Sequence, residues 1–284
     1  MQTTTIGWCD MTVNPLRARQ PSTGRVGHYC EKISDGCKHC YSSAMQPRLF
    51  GMPEFQTQRA DATREVFLHL PALDAVRRRR KPARIFWCDM TDLFGAWVRD
   101  DWIAQCVAVM AATPQHVHLV LTKRPTRLHA WMVAHYPTPL PNVWLGVSVE
   151  DQRAADARIP WLMKTPARVR FLSVEPLLSP VRLDRLALWA EPGFACPREV
   201  YPLEGQMAIP DSDWDVGRIG WVIVGGESGP QRRPMQLAWL AAIAEQCAAA
   251  AVPLYVKQDG ALRPGQQGNI PDALWGRKAF PRSC

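Results

Sequence analysis

Three cysteines stand in one short stretch, Cys30-Glu31-Lys32-Ile33-Ser34-Asp35-Gly36-Cys37-Lys38-His39-Cys40-Tyr41, at the spacing C-x6-C-x2-C. Thiolates held this close, with no fourth cysteine matched to them, can bind a metal or an iron–sulfur cluster and leave one position for a ligand that is not protein. Two groups answer to that donor set. A [4Fe–4S] cluster would take Cys30, Cys37 and Cys40 on three irons and leave the fourth iron to a chelating small molecule, as the amino and carboxylate groups of S-adenosylmethionine would be. Zinc would take the same thiolates together with His28 or His39 in a closed, structural Cys3His site.

The remaining chemistry-bearing residues follow short apolar runs. Asp89 and Asp92 come after Arg84–Cys88, and Lys123-Arg124-Pro125 after Val117–Leu121. Ser148 and Glu150 close the run that begins at Val143, and Ser173 with Glu175-Pro176 closes the one that begins at Val169. Gly225-Gly226-Glu227-Ser228 follows Gly220–Val224, and Lys257-Gln258 follows Pro253–Val256. In a parallel α/β protein such strand ends build the functional rim. Carboxylates interleaved with cations there suit a charged, polar ligand. The glycine pair would let backbone approach that ligand, and Glu227 would receive an ammonium group.

Positioning these residues requires strands and helices in alternation. Six apolar runs after the cysteines read as buried parallel strands, with one further strand over Thr5–Trp8. Helices are expected over Tyr41–Phe50, stopped by Gly51, then Asp100–Ala112, Thr126–His135, Asp151 to about Arg158, Leu183–Trp189 and Leu237–Ala251. Cys40 then lies where a helix begins. No strand is followed by a glycine-rich dinucleotide loop, so a (β/α) barrel, closed or partly open, fits better than a doubly wound sheet. The expected organisation is one barrel domain over residues 1–260, with the cysteine loop at 28–41. Residues 190–216, with four prolines and six acidic residues, form an irregular insertion. Residues 261–284 form an irregular tail.

Composition bounds the partners. Of 284 residues 47% are hydrophobic and 21% charged, which excludes a disordered or fibrous chain. The formal charge of +8 favours an acidic partner, nucleic acid being the commonest, over a basic protein that is merely soluble, and the twelve tryptophans suit a core and a base-stacking surface equally well. The run Arg77-Arg78-Arg79-Arg80-Lys81 is either a phosphate-contacting patch or a solvated helix end. The N-terminus lacks the pattern of a signal peptide and no stretch is long and apolar enough to span a bilayer, so a cytoplasmic, non-membrane protein is expected. In that reducing compartment nine cysteines are not a disulfide framework. Cys106, Cys196, Cys247 and Cys284 are scattered and read as packed or incidental.

Taken together, Cys30–Tyr41, Trp87–Phe94, Leu121–Pro125, Val143–Glu150, Arg170–Leu178, Val222–Gly229 and Val256–Gln258 resemble the phage-protein family named after gene products thirty-seven and sixty-eight, over roughly residues 5–260. That family looks like a branch of the radical S-adenosylmethionine superfamily. The resemblance implies a barrel of radical-enzyme type, with a [4Fe–4S] cluster on Cys30, Cys37 and Cys40. The first cysteine interval is longer here than is usual in the superfamily. Its Gly-Gly-Glu element normally follows the strand after the cluster, and here Asp89 and Asp92 occupy that place.

The expected activity is generation of a 5′-deoxyadenosyl radical that takes a hydrogen atom from a nucleic acid or nucleotide, in modification or repair, with an outside electron donor. Asp89, Asp92, Ser148, Glu150, Gly225, Gly226, Glu227 and Lys257 would bind the cofactor. Glu175, Glu150 and Lys123 would serve catalysis. Two alternatives keep zinc on the cysteines: a metal-dependent nuclease built on the rim carboxylates, and a non-catalytic nucleic-acid-binding module.

Overall fold

Short apolar runs punctuated by amphipathic ones fold as strands and helices in the computed structural model, which describes residues 1–57, 64–188, 198–208 and 217–281. The chain divides into two units, residues 1–122 with 141–143, and residues 123–140 with 144–284.

In the first unit the strands are β1 (Gln2–Thr3), β2 (Met11–Val13), β3 (Leu16–Arg19) and β4 (Val26–Gly27). Helix α1 (Tyr41–Met45) runs on into a wider helical turn, Gln46–Phe50, that ends at Gly51 with φ 61°. Then come β5 (Glu65–Leu68), α2 (Leu70–Arg78), β6 (Arg84–Trp87), α3 (Asp100–Ala111) and β7 (Val117–Thr122). Strands β2, β6 and β7 pair in parallel, and β1 adds to β2 antiparallel. A separate antiparallel sheet runs β4-β3-β5. The helices form where sequence period and end chemistry agree. Helix α3 begins on Asp100 and Asp101, favourable at the positive end of the helix dipole, and buries Ile103, Cys106, Val107 and Met110 at helical spacing.

The second unit holds α4 (Pro125–His135), β8 (Val143–Ser148), α5 (Gln152–Lys164) and β9 (Val169–Val174). An antiparallel excursion follows, β10 (Leu186–Leu188), β11 (Arg198–Tyr201) and β12 (Gln206–Ala208). It closes with β13 (Ile219–Gly225), α6 (Leu237–Ala249), β14 (Leu254–Gln258) and α7 (Asp272–Trp275). Strands β8, β9, β13 and β14 pair in parallel in that order. All six residues of β8 are buried, as continuous apolar strands in parallel sheets are. The Asp151 carboxylate caps α5 by accepting the Ala154 N–H at 2.7 Å.

The expected alternation of strand and helix is therefore present, and the fold is mixed α/β with mostly parallel strands. Among the described residues neither unit closes its strands into a barrel, and β1, two residues long and antiparallel, departs from the all-parallel expectation. Three local expectations are also corrected. The first parallel strand is Met11–Val13 and not Thr5–Trp8, because Asp10 accepts the Arg84 N–H at 2.7 Å and pairs with its guanidinium, setting Met11 opposite Ile85. Leu186–Leu188 is a strand instead of part of a helix, since a short apolar run takes the state its partner offers and β11 offers an antiparallel edge. The tail is not shapeless: Arg277 and Ala279 exchange backbone hydrogen bonds with Val256 and Leu254, and α7 precedes them. Much of the proposed insertion, residues 190–197 and 209–216, lies outside the described residues, as do Cys196 and Cys284. No described helix is long and apolar enough to cross a membrane.

Candidate functional site

The cysteine loop is anchored at both ends on the turn that follows β6. Ahead of Cys30, the Tyr29 carbonyl accepts the Thr91 hydroxyl. After Cys40, the Tyr41 hydroxyl donates to the Asp89 carbonyl and the Ser42 hydroxyl to the Met90 carbonyl, the latter at 2.8 Å. The base of the loop is closed by Gln46, fully buried, which accepts the His28 N–H at 2.9 Å and donates to the Ser42 carbonyl at 3.0 Å. Tyr29 packs edge-on to Trp97 at 4.9 Å, in a small core with Ala18 and Met52. The loop thus rests on the carboxyl end of a parallel strand, where the ligand sites of α/β proteins are built.

The turn that receives it is locally strained. Cys88 has φ 60°, a left-handed conformation that costs a non-glycine residue about 1 kcal/mol or more. It is held there by its N–H to the Val13 carbonyl and by its own carbonyl, which accepts the Thr91 N–H. Asn14 bridges the same turn, accepting the Met90 N–H at 3.1 Å and donating to the Asp89 carboxylate at 2.6 Å.

Within the loop Cys37 ends a single 3-10 turn and its sulfur lies 3.6 Å from the Ser34 hydroxyl. Cys40 is the residue ahead of α1, as expected. All three cysteines are at intermediate exposure. As a donor set they fit an iron–sulfur group: three soft sulfurs on one anchored loop. Among the described residues, no three His, Cys, Asp or Glu side chains are drawn together around a single metal position. His28, one of the two candidate zinc ligands, is 2% exposed and uses both ring nitrogens, Nε2 3.0 Å from Arg17 Nη1 and Nδ1 3.2 Å from the Leu16 carbonyl. Burial, then the Arg17 charge, push its pKa down to about 4. Its ring is structural, which leaves the zinc reading with His39 as the histidine donor.

Asp89 and Asp92 have different fates. Burial raises the pKa of Asp89, opposed by its hydrogen bond from Asn14 and by the Arg17 charge. Arg17 is itself half-buried, and its own pKa is lowered by desolvation against the pull of Asp89. Asp92 is buried and occupied: its carboxylate accepts the Thr122 hydroxyl at 2.7 and 2.9 Å and the Phe94 N–H at 2.9 Å. It ties the turn to the end of β7.

The other expected site residues belong to the second unit, where Glu150, Glu175 and Glu227 each face an arginine or lysine. Glu150, 0% exposed, receives a two-pronged contact from Arg158 at 2.8 and 3.2 Å, with Lys123 at 3.6 Å. Arg158 also donates to the Ser148 carbonyl at 2.8 Å. Glu227 is gripped by Arg233 through Nε at 3.0 Å, Nη2 at 2.7 Å and the backbone N–H at 2.8 Å. Glu175 differs. Its Oε2 accepts the Ser173 hydroxyl at 3.2 Å, while Oε1 lies 3.2 Å from Lys257 Nζ, buried and without an aligned hydrogen bond.

The two glycines serve packing. A Cβ on Gly225 would come within 2.8 Å of Glu175 Oε1, and one on Gly226 within 2.4 Å of the Gly260 nitrogen. Their lack of a side chain lets β13 lie against Glu175 and the chain after β14. Sequence reasoning passed over Arg17, Gln46, Ser42 and Thr91. The only cue was that Ser42 and Gln46 are four apart at the start of a helix.

A family model described as "Protein of unknown function (DUF5131)" matches residues 3–279. No curated protein and no solved structure matches the chain.

Proposed function

We propose that this chain, which belongs to the DUF5131 family of proteins of unknown function, is an iron–sulfur enzyme of the radical S-adenosylmethionine type acting on a nucleic acid or nucleotide. The observation that carries the reading is the double anchoring of the Cys30–Cys40 loop on residues 89–91, beyond the carboxyl end of a parallel strand. The resemblance to the phage family of gene products thirty-seven and sixty-eight points the same way.

Cys30, Cys37 and Cys40 would hold a [4Fe–4S] cluster, and Asp89 would receive the ammonium group of S-adenosylmethionine. When bound, the two groups supply reductive cleavage to a 5′-deoxyadenosyl radical, with the electron coming from an outside donor. The chain's own contribution is positional. Thr91, Tyr41, Ser42 and Gln46 fix both ends of the loop, and Asn14 fixes the Asp89 carboxylate. In the second unit Glu175 and Lys257 are the pair we assign to proton transfer, because Glu175 Oε1 alone among these carboxylates is buried without an aligned donor. Glu150, with Lys123, and Glu227 are read as supports for that unit.

The same pairings weigh against a nuclease built on the second unit's carboxylates. A divalent cation needs anionic oxygens, and Glu150, Glu175 and Glu227 each already face an arginine or lysine.

The test is anaerobic purification followed by incubation with dithionite and S-adenosylmethionine. The expected result is iron and acid-labile sulfide on the protein, formation of 5′-deoxyadenosine, and loss of all three in Cys37→Ala. Stoichiometric zinc without iron would overturn the proposal.

A further inference from the structure

The described residues expose eight large hydrophobic side chains, and four of them, Val26, Ile33, Tyr41 and Leu49, fall within the segment that carries the cysteines. Residues 17–50 also hold six Lys or Arg against two Asp or Glu. Apolar side chains interspersed with cations suit a partner with flat apolar faces and regular negative charge.

Several of these side chains are joined through the backbone into one track. Arg19 and Val26 are directly paired across β3 and β4, and both are exposed. Arg25 donates to the Gly51 carbonyl at 2.9 Å, which brings β4 against the end of the helical run that starts after Cys40. On that run Tyr41 and Arg48 are both exposed, two turns apart, with Leu49 beside them at 58% exposure. The track Arg19, Val26, Arg25, Leu49, Arg48, Tyr41 therefore begins on the small sheet and ends one residue from Cys40.

We infer that this track is the binding surface for single-stranded nucleic acid, with phosphates on Arg19, Arg25 and Arg48 and bases against Tyr41, Leu49 and Val26. The inference rests on the proposed substrate class but not on the cofactor. Single strands are favoured over duplex because the apolar groups stand out among the cations, where only unpaired bases present their faces. The run at Arg77–Lys81 has exposed cations and one exposed large apolar residue on its helix, Leu70, but no exposed aromatic one, so it is assigned no base contacts.

Fluorescence anisotropy with a labelled single-stranded oligonucleotide of about one OB-fold site size or longer tests this on the full chain. Arg19→Glu with Arg48→Glu is expected to weaken binding at least tenfold and to flatten its salt dependence by about 1.4 in slope. Leu49→Ser is expected to weaken it about fivefold with the salt slope unchanged. Charge reversal at Arg77 and Arg78 is expected to change affinity less than the Arg19 and Arg48 pair does. Circular dichroism and iron content, unchanged in these variants, separate lost contacts from lost folding. Wild-type affinity in the Arg19 and Arg48 double variant, or a track that binds an acidic electron-donor protein and no oligonucleotide, overturns the inference. Either result leaves the 5′-deoxyadenosine assay to judge the radical reading by itself.

Discussion

Gln46 accepts the backbone N–H of His28 across eighteen residues of sequence, at 2.9 Å, and so closes the loop that carries all three clustered cysteines. Both groups are buried. Gln46→Ala leaves the His28 N–H without an acceptor, an expected loss of about 1–3 kcal/mol. Urea unfolding should show it as a lower midpoint, with faster loss of iron from reconstituted protein. A variant with wild-type midpoint and iron retention would show that the loop is held elsewhere.

Cys30→Ala, Cys37→Ala and Cys40→Ala should each abolish iron binding, whereas Cys106→Ala, in the buried face of α3, should keep it at a cost in stability of about 1 kcal/mol. His39→Ala separates the metals. Iron content unchanged in that variant is expected, and a stoichiometric zinc lost with His39 would favour the structural zinc site. Metal analysis by mass spectrometry reads both.

Arg158 and Glu150 form a buried pair, so removing Glu150 takes the carboxylate from Arg158, and removing Arg158 leaves Glu150 with Lys123 at 3.6 Å in place of a two-pronged contact. Arg158→Ala is expected to destabilise the protein by about 3–5 kcal/mol. Glu150→Gln should likewise be strongly destabilising, and its effect on turnover should be no larger than its effect on the folded fraction. A Glu150→Gln protein with wild-type thermal unfolding and no turnover would place that residue in catalysis.

Gly226→Ala should be among the most disruptive single-methyl changes, because the new Cβ meets backbone at 2.4 Å and not the end of a flexible side chain. A stability loss of about 2 kcal/mol or more is expected. Stable folding combined with weakened S-adenosylmethionine binding, measured by calorimetry, would instead place the ligand against this strand end.

Acid should destabilise the first unit through His118. Trp87 Nε1 donates to its Nδ1 and Thr113 Oγ1 lies against its Nε2, both at 2.9 Å, and burial holds the pKa down at about 4. Between the ordinary value of 6.5 and about 4 the unfolded chain binds this proton and the folded one does not. Stability therefore falls as pH drops through that window and the loss saturates below it, at about 3 kcal/mol for this group. Thermal melts from pH 7 to pH 4 on the wild type and on His118→Gln check it, and equal slopes for the two proteins would contradict the assignment.

By itself the sequence determined the local features: the cysteine spacing, the start of a helix at Cys40, the strand and helix alternation and the basic surplus. These are carried by period, by end residues and by composition, all of which act over a few positions. Only the tertiary structure decided which polar groups were already taken. Asp92 meets Thr122, Glu227 meets Arg233 and His28 meets Arg17, pairings that depend on where separate segments come to rest. A carboxylate after a strand looks the same in sequence whether it awaits a ligand or balances a buried arginine. The difference is the desolvation that burial imposes, and burial is a property of the folded chain.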